Sequence, residues 1–159
     1  SRVLILEKEG VACSSSGKAG GFLAKSWGDG SPTQALHHQS FELHQKLAKE
    51  LDIESFRVIP TLEVSHRKGN NVASWLDGQC SSKLMDANTA QVTPEELTKK
   101  MMAAATSKGC ELRIAGVDKV SVNSSNGKKF SISVSGYDSP VECDQLIVAM
   151  GSWSVQLES

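Results

Sequence analysis

Two short runs of uninterrupted apolar residues set the strongest limit on how this chain folds. Val3-Leu4-Ile5-Leu6 closes on the acid Glu7, and Leu146-Ile147-Val148-Ala149-Met150 closes on Gly151. A strand that alternates apolar and polar residues can leave one face in water, but a run with no polar break has to be covered on both. Each run is strand-sized and far short of the roughly 20 apolar residues of a membrane-spanning helix. They predict two buried strands, the first of them parallel, and with them an α/β fold.

Between the runs the pattern changes several times. Gly28-Asp29-Gly30-Ser31-Pro32 ends in a helix-start signal, Ser31 as N-cap and Pro32 at the first helical position. Leu36, Ser40, Leu43, Leu47 and Leu51 then share one face, which predicts an amphipathic helix to about Leu51. Val58 to Ser65 and Val72 to Leu76 read as short strands on either side of a turn at Lys68-Gly69-Asn70-Asn71, and Asp86 to Val92 reads as irregular or extended. Thr93-Pro94-Glu95-Glu96 opens a second helix with Glu96 at the capping-box position, and Gly109 closes it. The rest is strand: Cys110 to Ala115, Val117 to Asn123, a hairpin turn at Ser124-Ser125-Asn126-Gly127, the alternating Phe130, Ile132 and Val134, and Val141 to Met150.

Composition excludes some classes of function. Among 159 residues, 17 Lys and Arg against 18 Asp and Glu give a net charge of -1, so there is no broad basic field for nucleic acid. The four cysteines, at 13, 80, 110 and 143, make no CxxC pair, which argues against zinc and favours a reducing, intracellular compartment, the cytoplasm first. The chain has no initiator Met and begins inside a strand, so it reads as an internal piece of a longer protein.

Three features carry chemistry. An acid at the end of a buried strand, Glu7, can accept both hydroxyls of a ribose, although a solvated strand terminus is the commoner meaning of such a residue. The small residues of Ser14-Ser15-Ser16-Gly17-Lys18-Ala19-Gly20-Gly21 let backbone amides approach an anion or a flat cofactor, but in isolation a surface loop is as good a reading. Gly151, directly after a buried strand in Ala149-Met150-Gly151-Ser152-Trp153, permits the same close approach, where a simple turn glycine would also serve.

In this order along the chain, the three features resemble the amino-acid-oxidase superfamily of flavoproteins, which includes glycine oxidase, sarcosine oxidase and D-amino-acid oxidase. The resemblance implies that Glu7 and Lys8 end the strand whose acid binds the adenosine ribose of FAD. Ser16, Gly17, Lys18, Ala19, Gly20 and Gly21 are similar to the family's Ser-x-x-Ala-Gly-Gly segment along the pyrophosphate and flavin. Val117 resembles the valine whose backbone holds adenine, and Ala149, Gly151 and Trp153 the late segment that passes close to the cofactor. The wording Gly17-Lys18-Ala19-Gly20-Gly21-Phe22-Leu23-Ala24 looks most like a poorly characterised branch found in fungi and plants.

The fold implied is an incomplete Rossmann-like FAD-binding domain, residues 1–55 and 94–159, interrupted by the start of an antiparallel-sheet substrate domain, residues 56–93. The implied activity is oxidation of an amine or amino acid by hydride transfer to FAD. The family's first strand, its Gly-x-Gly-x-x-Gly and its C-terminal third are absent here, so the piece alone is expected to be inactive and to hold FAD weakly. A non-catalytic binding or trafficking protein on the flavin fold and an NAD-dependent dehydrogenase are the rival readings.

The remaining candidates have plainer explanations. His37, His38 and His44 on the long helix are expected to face solvent, with no carboxylate placed to complete a metal site. Trp27 and Trp75 suit a pocket or a core equally. Arg67-Lys68 and Lys128-Lys129 read as solvated charge, and Met101-Met102 as helix packing. Nothing distinguishes Arg57, Arg67 or Arg113 as the partner of a substrate carboxylate, and no catalytic acid or base stands out. The expected partner is a small amine or amino acid, with no nucleic acid and no membrane span; the pattern does not specify an oligomeric state.

Overall fold

The computed structural model describes residues 2–66, 69–76, 78–122 and 129–158. In chain order the elements are β1 (Leu4–Glu7), α1 (Ser15–Lys18), β2 (Phe22–Leu23), α2 (Gln34–Glu50), β3 (Arg57–Ser65), β4 (Ser81–Gln91), α3 (Pro94–Ser107), β5 (Glu111–Ile114), β6 (Val117–Val122), β7 (Phe130–Val134), β8 (Val141–Cys143) and a 3-10 helix (Gly151–Glu158). They form three sheets: a parallel pair β1-β5, and two antiparallel triplets, β2-β4-β3 and β6-β7-β8. This mixed α/β arrangement is the expected class. The chain divides into two compact units, one of Ser1–Val11 with Ala105–Ser159 and the other of Ala12–Ala104.

In the first unit, β1 runs parallel to β5 in the register Leu4–Glu111 to Glu7–Ile114. The strand is half-buried rather than covered on both faces, and β5 is its one ladder partner among the described residues. The last turn of α3 hands the chain to β5 through glycine: Gly109 sits at φ +89°, its N–H donates to Thr106 O (2.9 Å) and that of Cys110 to Ala105 O (3.1 Å). Those two bonds satisfy carbonyls that the end of a helix leaves open. In β7 the alternation puts Ile132 and Val134 into the core, 4% and 2% exposed. The hairpin turn expected at 124–127 lies outside the described residues.

The second apolar run departs from expectation. Leu146 to Met150 is not a strand, and Ile147 is 90% exposed. An apolar run becomes a strand only where a free edge pairs with it, and no described strand does so. The chain turns instead at Gly151 (φ +57°), with Trp153 N–H donating to Met150 O (3.1 Å), into the 3-10 helix.

In the second unit, α2 begins later than its signal. Ser31 and Pro32 form a turn in which Ser31 Oγ accepts from Thr33 N–H (3.3 Å), and Thr33 is the N-cap, its carbonyl receiving the N–H of His37 (3.0 Å). The inward face is also rotated. Phe41 is buried at 7% exposure while Leu36 and Leu43 are open, because the leucine spacing ignored the aromatic two residues before Leu43. The helix closes with Asp52 in the left-handed conformation (φ +52°) and buried Ile53 donating back to Ala48 O (2.9 Å).

The expected strand Val72–Leu76 is a turn wound around one side chain. Asn71 Oδ1 accepts from Ala73 N–H (3.1 Å) and from the hydroxyl of Ser82, while its Nδ2 donates to Leu76 O (3.0 Å). Those local bonds outcompete a ladder, and β3 pairs with β4, whose second half falls in the Asp86–Val92 stretch expected to be irregular or extended. Two register shifts bracket the pair Thr61–Asp86. Pro60, with no N–H to offer, lies in the first of them. Fully buried Thr89 ties the strands there, donating to Ile59 O (2.5 Å) and bonding Thr61 Oγ1 (2.7 Å).

The capping box of α3 is also replaced. Glu96 accepts the N–H groups of Glu54 (2.8 Å) and Ser55 (3.0 Å), and the N–H of Thr93 goes to Ser55 Oγ (2.9 Å). A carboxylate that can take two backbone donors from a packed loop does better than one that takes the single donor of its own helix.

Candidate functional site

The C-terminal ends of parallel strands are where α/β sheets present ligand-binding groups. In the first unit that end is built by Glu7 of β1 and by the chain leaving β5. Ala115 N–H donates to Glu7 O (2.8 Å), and Gly116 then turns the chain into β6, its missing Cβ leaving room for Ser135 Oγ (3.1 Å) and Lys8 Cγ (3.7 Å). Thus Glu7 and Lys8 meet the turn at Gly116 that leads into Val117, although more than a hundred residues separate the two pairs in sequence. Gly116 was not singled out from the sequence; the signal for it was a glycine between two strands.

The Glu7 carboxylate is held by the turn that follows it. Oε1 accepts from Glu9 N–H (3.1 Å), with Gly10 N–H at 3.5 Å, and Oε2 has no partner among the described residues. The group is therefore aimed and half free, which suits a ribose hydroxyl. Val117 is open in a different way. Its cross-strand partner is Val134, and the ladder bond beside them runs from Ser135 N–H to Gly116 O (2.9 Å). That makes Val117–Val134 a non-hydrogen-bonded pair, in which the N–H and C=O of Val117 point away from β7. β6 is the edge of its sheet among the described strands, so no described ladder uses either group. A flat ring with a donor and an acceptor on its edge could use them. Ala149, Gly151 and Trp153 lie in the same unit, at the start of the 3-10 helix, and all three are exposed.

In the second unit the small-residue segment is a one-turn helix, α1, rather than a loop throughout. Its glycines separate into two kinds. Gly17 and Gly21 are required by the chain's own packing: a Cβ would stand 2.0 Å from Ala12 O at Gly17 and 1.9 Å from Val92 O at Gly21. Gly21 also holds φ +71° and accepts the N–H of Val92 (2.9 Å), joining β2 to the end of β4. Gly20 is different, for a Cβ there would meet nothing within 4 Å. No internal contact explains why position 20 has no side chain. Ser14, Ser15, Lys18 and Ala19 line an open depression. Thr98 of α3 anchors the segment through its hydroxyl to Ser16 O (3.2 Å).

Two of the three arginines weighed for a substrate carboxylate already have partners. Arg113 bonds Glu111 (2.7 Å) and lies over the Tyr137 ring (4.8 Å), Arg57 bonds Gln91 (2.6 Å), and Arg67 lies outside the described residues. Hydrogen bonds from Arg113 and Arg2 hold the Glu111 carboxyl below its usual range. The helix histidines are half-buried rather than open to solvent: His38 pairs with Asp29 (2.6 Å), His44 bonds Ser40 O (2.7 Å), and the His37 ring fills the space a side chain at Gly28 would need. Among the described residues no three His, Cys, Asp or Glu stand close enough to hold a metal, and no helix is long and apolar enough to cross a membrane. None of the four cysteines is in a disulfide.

A family model described as DAO, FAD dependent oxidoreductase, matches residues 1–159. The chain belongs to this family. As a DAO-family chain it carries part of an FAD-dependent fold, and the cofactor of its family is FAD, which gives no support to a nicotinamide enzyme. The same fold occurs in glycine oxidase from Bacillus cereus (TM-score 0.80, 20% identity, covering 98% of this chain and 52% of that one). It occurs also in glycine oxidase from Geobacillus kaustophilus (0.80, 19%, 98% and 50%) and in iminodiacetate oxidase from Chelativorans sp. BNC1 (0.76, 17%, 99% and 51%). The DAO-family chain thus spans about half the length of these solved structures.

Proposed function

We propose that the protein to which this chain belongs oxidises an amine or amino acid by hydride transfer to FAD, and that this chain supplies much of the cofactor cradle. The observation that carries the reading is the end of the β1–β5 pair, where β1 closes on an aimed Glu7 carboxylate and the chain leaving β5 turns at Gly116 into Val117, whose backbone groups point away from β7. Glu7 and Lys8 bind the adenosine ribose, and the Val117 N–H and C=O hold the adenine edge. Ser16 to Gly21 follow the pyrophosphate and flavin, Gly20 leaving the space in which a cofactor atom can approach the backbone. Ala149, Gly151 and Trp153 border the cofactor from the late segment.

Bound FAD would supply the hydride acceptor and the route for electrons to oxygen or another acceptor; the protein's part is to orient, to exclude water and to tune the ring by hydrogen bonds. This division of labour accounts for a site without a paired acid and base. Residues 1–55 and 94–159 form the FAD-binding part in this reading and residues 56–93 open the substrate part. Four cysteines outside any disulfide favour an intracellular place of action, the cytoplasm first.

The test is a visible absorption spectrum of the complete reading frame. The expected result is a flavin spectrum that an amine or amino acid bleaches without oxygen. A protein that stays colourless with added FAD would remove the cofactor assignment, and a flavin that no amine bleaches would leave a binding protein in its place.

A further inference from the structure

Beside the Ser16–Gly21 segment stands a pair of aromatic side chains that the cofactor reading does not use. The rings of Phe22 and Trp27 are 5.0 Å apart, inclined at 53°, and each is about half exposed, 46% and 48%. Both are fixed. Phe22 is held in the sheet opposite Gln91, immediately after Gly21, whose carbonyl bonds Val92. Trp27 Nε1 donates to Asp86 Oδ2 (3.0 Å), and the other oxygen of that carboxylate accepts the N–H of Asn88 (2.7 Å). With both oxygens engaged, Asp86 is a holder of Trp27 and not a free base.

β4 has been shaped to put it there. The two register shifts between β3 and β4 fall on either side of the Thr61–Asp86 pair, and bulges of this kind re-aim a side chain and gather next to active sites. The indole N–H would find water if Asp86 were absent, so an exposed bond of this sort contributes little to stability. What it does contribute is orientation. Two large rings already fixed in place lose little freedom when an apolar group settles on them.

We infer that Phe22 and Trp27 form a rigid aromatic wall that receives the apolar side chain of the oxidised amino acid or amine, with Asp86 as its positioning residue. The inference rests on the flavin-oxidase reading above and adds the class of substrate: amines bearing an aliphatic or aromatic group rather than glycine-sized ones.

The experiment uses the complete reading frame loaded with FAD and a substrate series of glycine, alanine, leucine and phenylalanine in both enantiomers, with FAD content read from the spectrum. The expected preference of kcat/KM for the large apolar members over glycine is about tenfold or more. Phe22→Ala and Trp27→Ala compress that preference, and the volume-preserving Phe22→Leu and Trp27→Phe, which protect against a folding failure, do so in part. Asp86→Ala gives a smaller loss that falls on KM rather than kcat, and Asp86→Asn, whose side-chain oxygen still accepts the indole N–H, rescues it. A wild type that favours glycine, FAD-loaded variants with undiminished preference, or variants that lose FAD in place of preference would each overturn the wall. A wild type without flavin, or with flavin that no amine bleaches, overturns the oxidase reading and the wall with it.

Discussion

Gly20 and Gly21 are neighbours of the same residue type, and alanine at each has opposite consequences. At Gly21 the backbone is left-handed (φ +71°), and the new Cβ would lie 1.9 Å from Val92 O, an atom held by the β4 strand end. The left-handed conformation costs an L-residue about 1–2 kcal/mol. Moving a packed backbone out of the way adds about 1–3 kcal/mol, as other overpacking changes do. Gly21→Ala is therefore expected to destabilise the protein by about 3 kcal/mol, which lowers the melting temperature by about 6–12 °C. At Gly20 the Cβ meets nothing within 4 Å, so Gly20→Ala should change stability by no more than about 0.5 kcal/mol. Yet in the complete protein Gly20→Ala should weaken FAD, because the methyl occupies the space assigned to the cofactor. Thermal melts of the cofactor-free protein and FAD titration of the same variants separate the effects. A Gly20→Ala protein that melts as early as Gly21→Ala, or that binds FAD as the wild type does, refutes the division of the segment into a fold glycine and a cofactor glycine.

Two further outcomes follow from other parts of the molecule. Phe41→Ala should cost about 3–5 kcal/mol by chemical denaturation, since the ring is 7% exposed, whereas Leu43→Ala, at 46% exposure, should cost under about 1 kcal/mol; the reverse order would restore the leucine face as the packed one. Glu96 is held below the usual carboxylate range, first by the Ser55 side chain and then by the amides of Glu54 and Ser55, which together outweigh the opposing effect of burial. A lowered folded-state pKa gives stability that is present above the unfolded value of about 4.3 and is lost as pH falls through the folded one. Glu96→Gln should therefore flatten the acid side of the stability profile below about pH 5, and an unchanged acid limb would show that the carboxylate does not carry that dependence.

Much of the frame was legible because it depends on local chemistry. The apolar run into Glu7, the alternation of Ile132 and Val134, the closing Gly109 and the second helix all follow from spacing and turn residues. What escaped depends on partners far along the chain. Leu146–Met150 has the residues of a strand, yet no described strand pairs with it. Val72–Leu76 has the same look, but Asn71 offers its backbone closer bonds. β4 was read only in part, as irregular or extended from Asp86, because its bulges break the two-residue alternation that betrays a strand. At the candidate site, Glu7 and Val117 were legible by family resemblance, while the open backbone of Val117 depends on a cross-strand register no spacing reveals. The difference between Gly20 and Gly21 is likewise invisible in sequence, since only the position of Val92 O separates them.

The bond that replaced the capping box of α3 also bears on how the chain assembles. While residues 93–107 are alone, the carboxylate of Glu96 can close back on the N–H of Thr93 and help nucleate the first turn, the slowest part of making any helix. Once the loop after α2 arrives, Ser55 Oγ takes over that N–H, and the carboxylate is released to grip the amides of Glu54 and Ser55. The residue type that can cap an isolated helix thus serves, in the folded protein, to dock the loop after α2 onto α3. The exchange loses no backbone bond on the way, and docking adds to helix formation without competing with it.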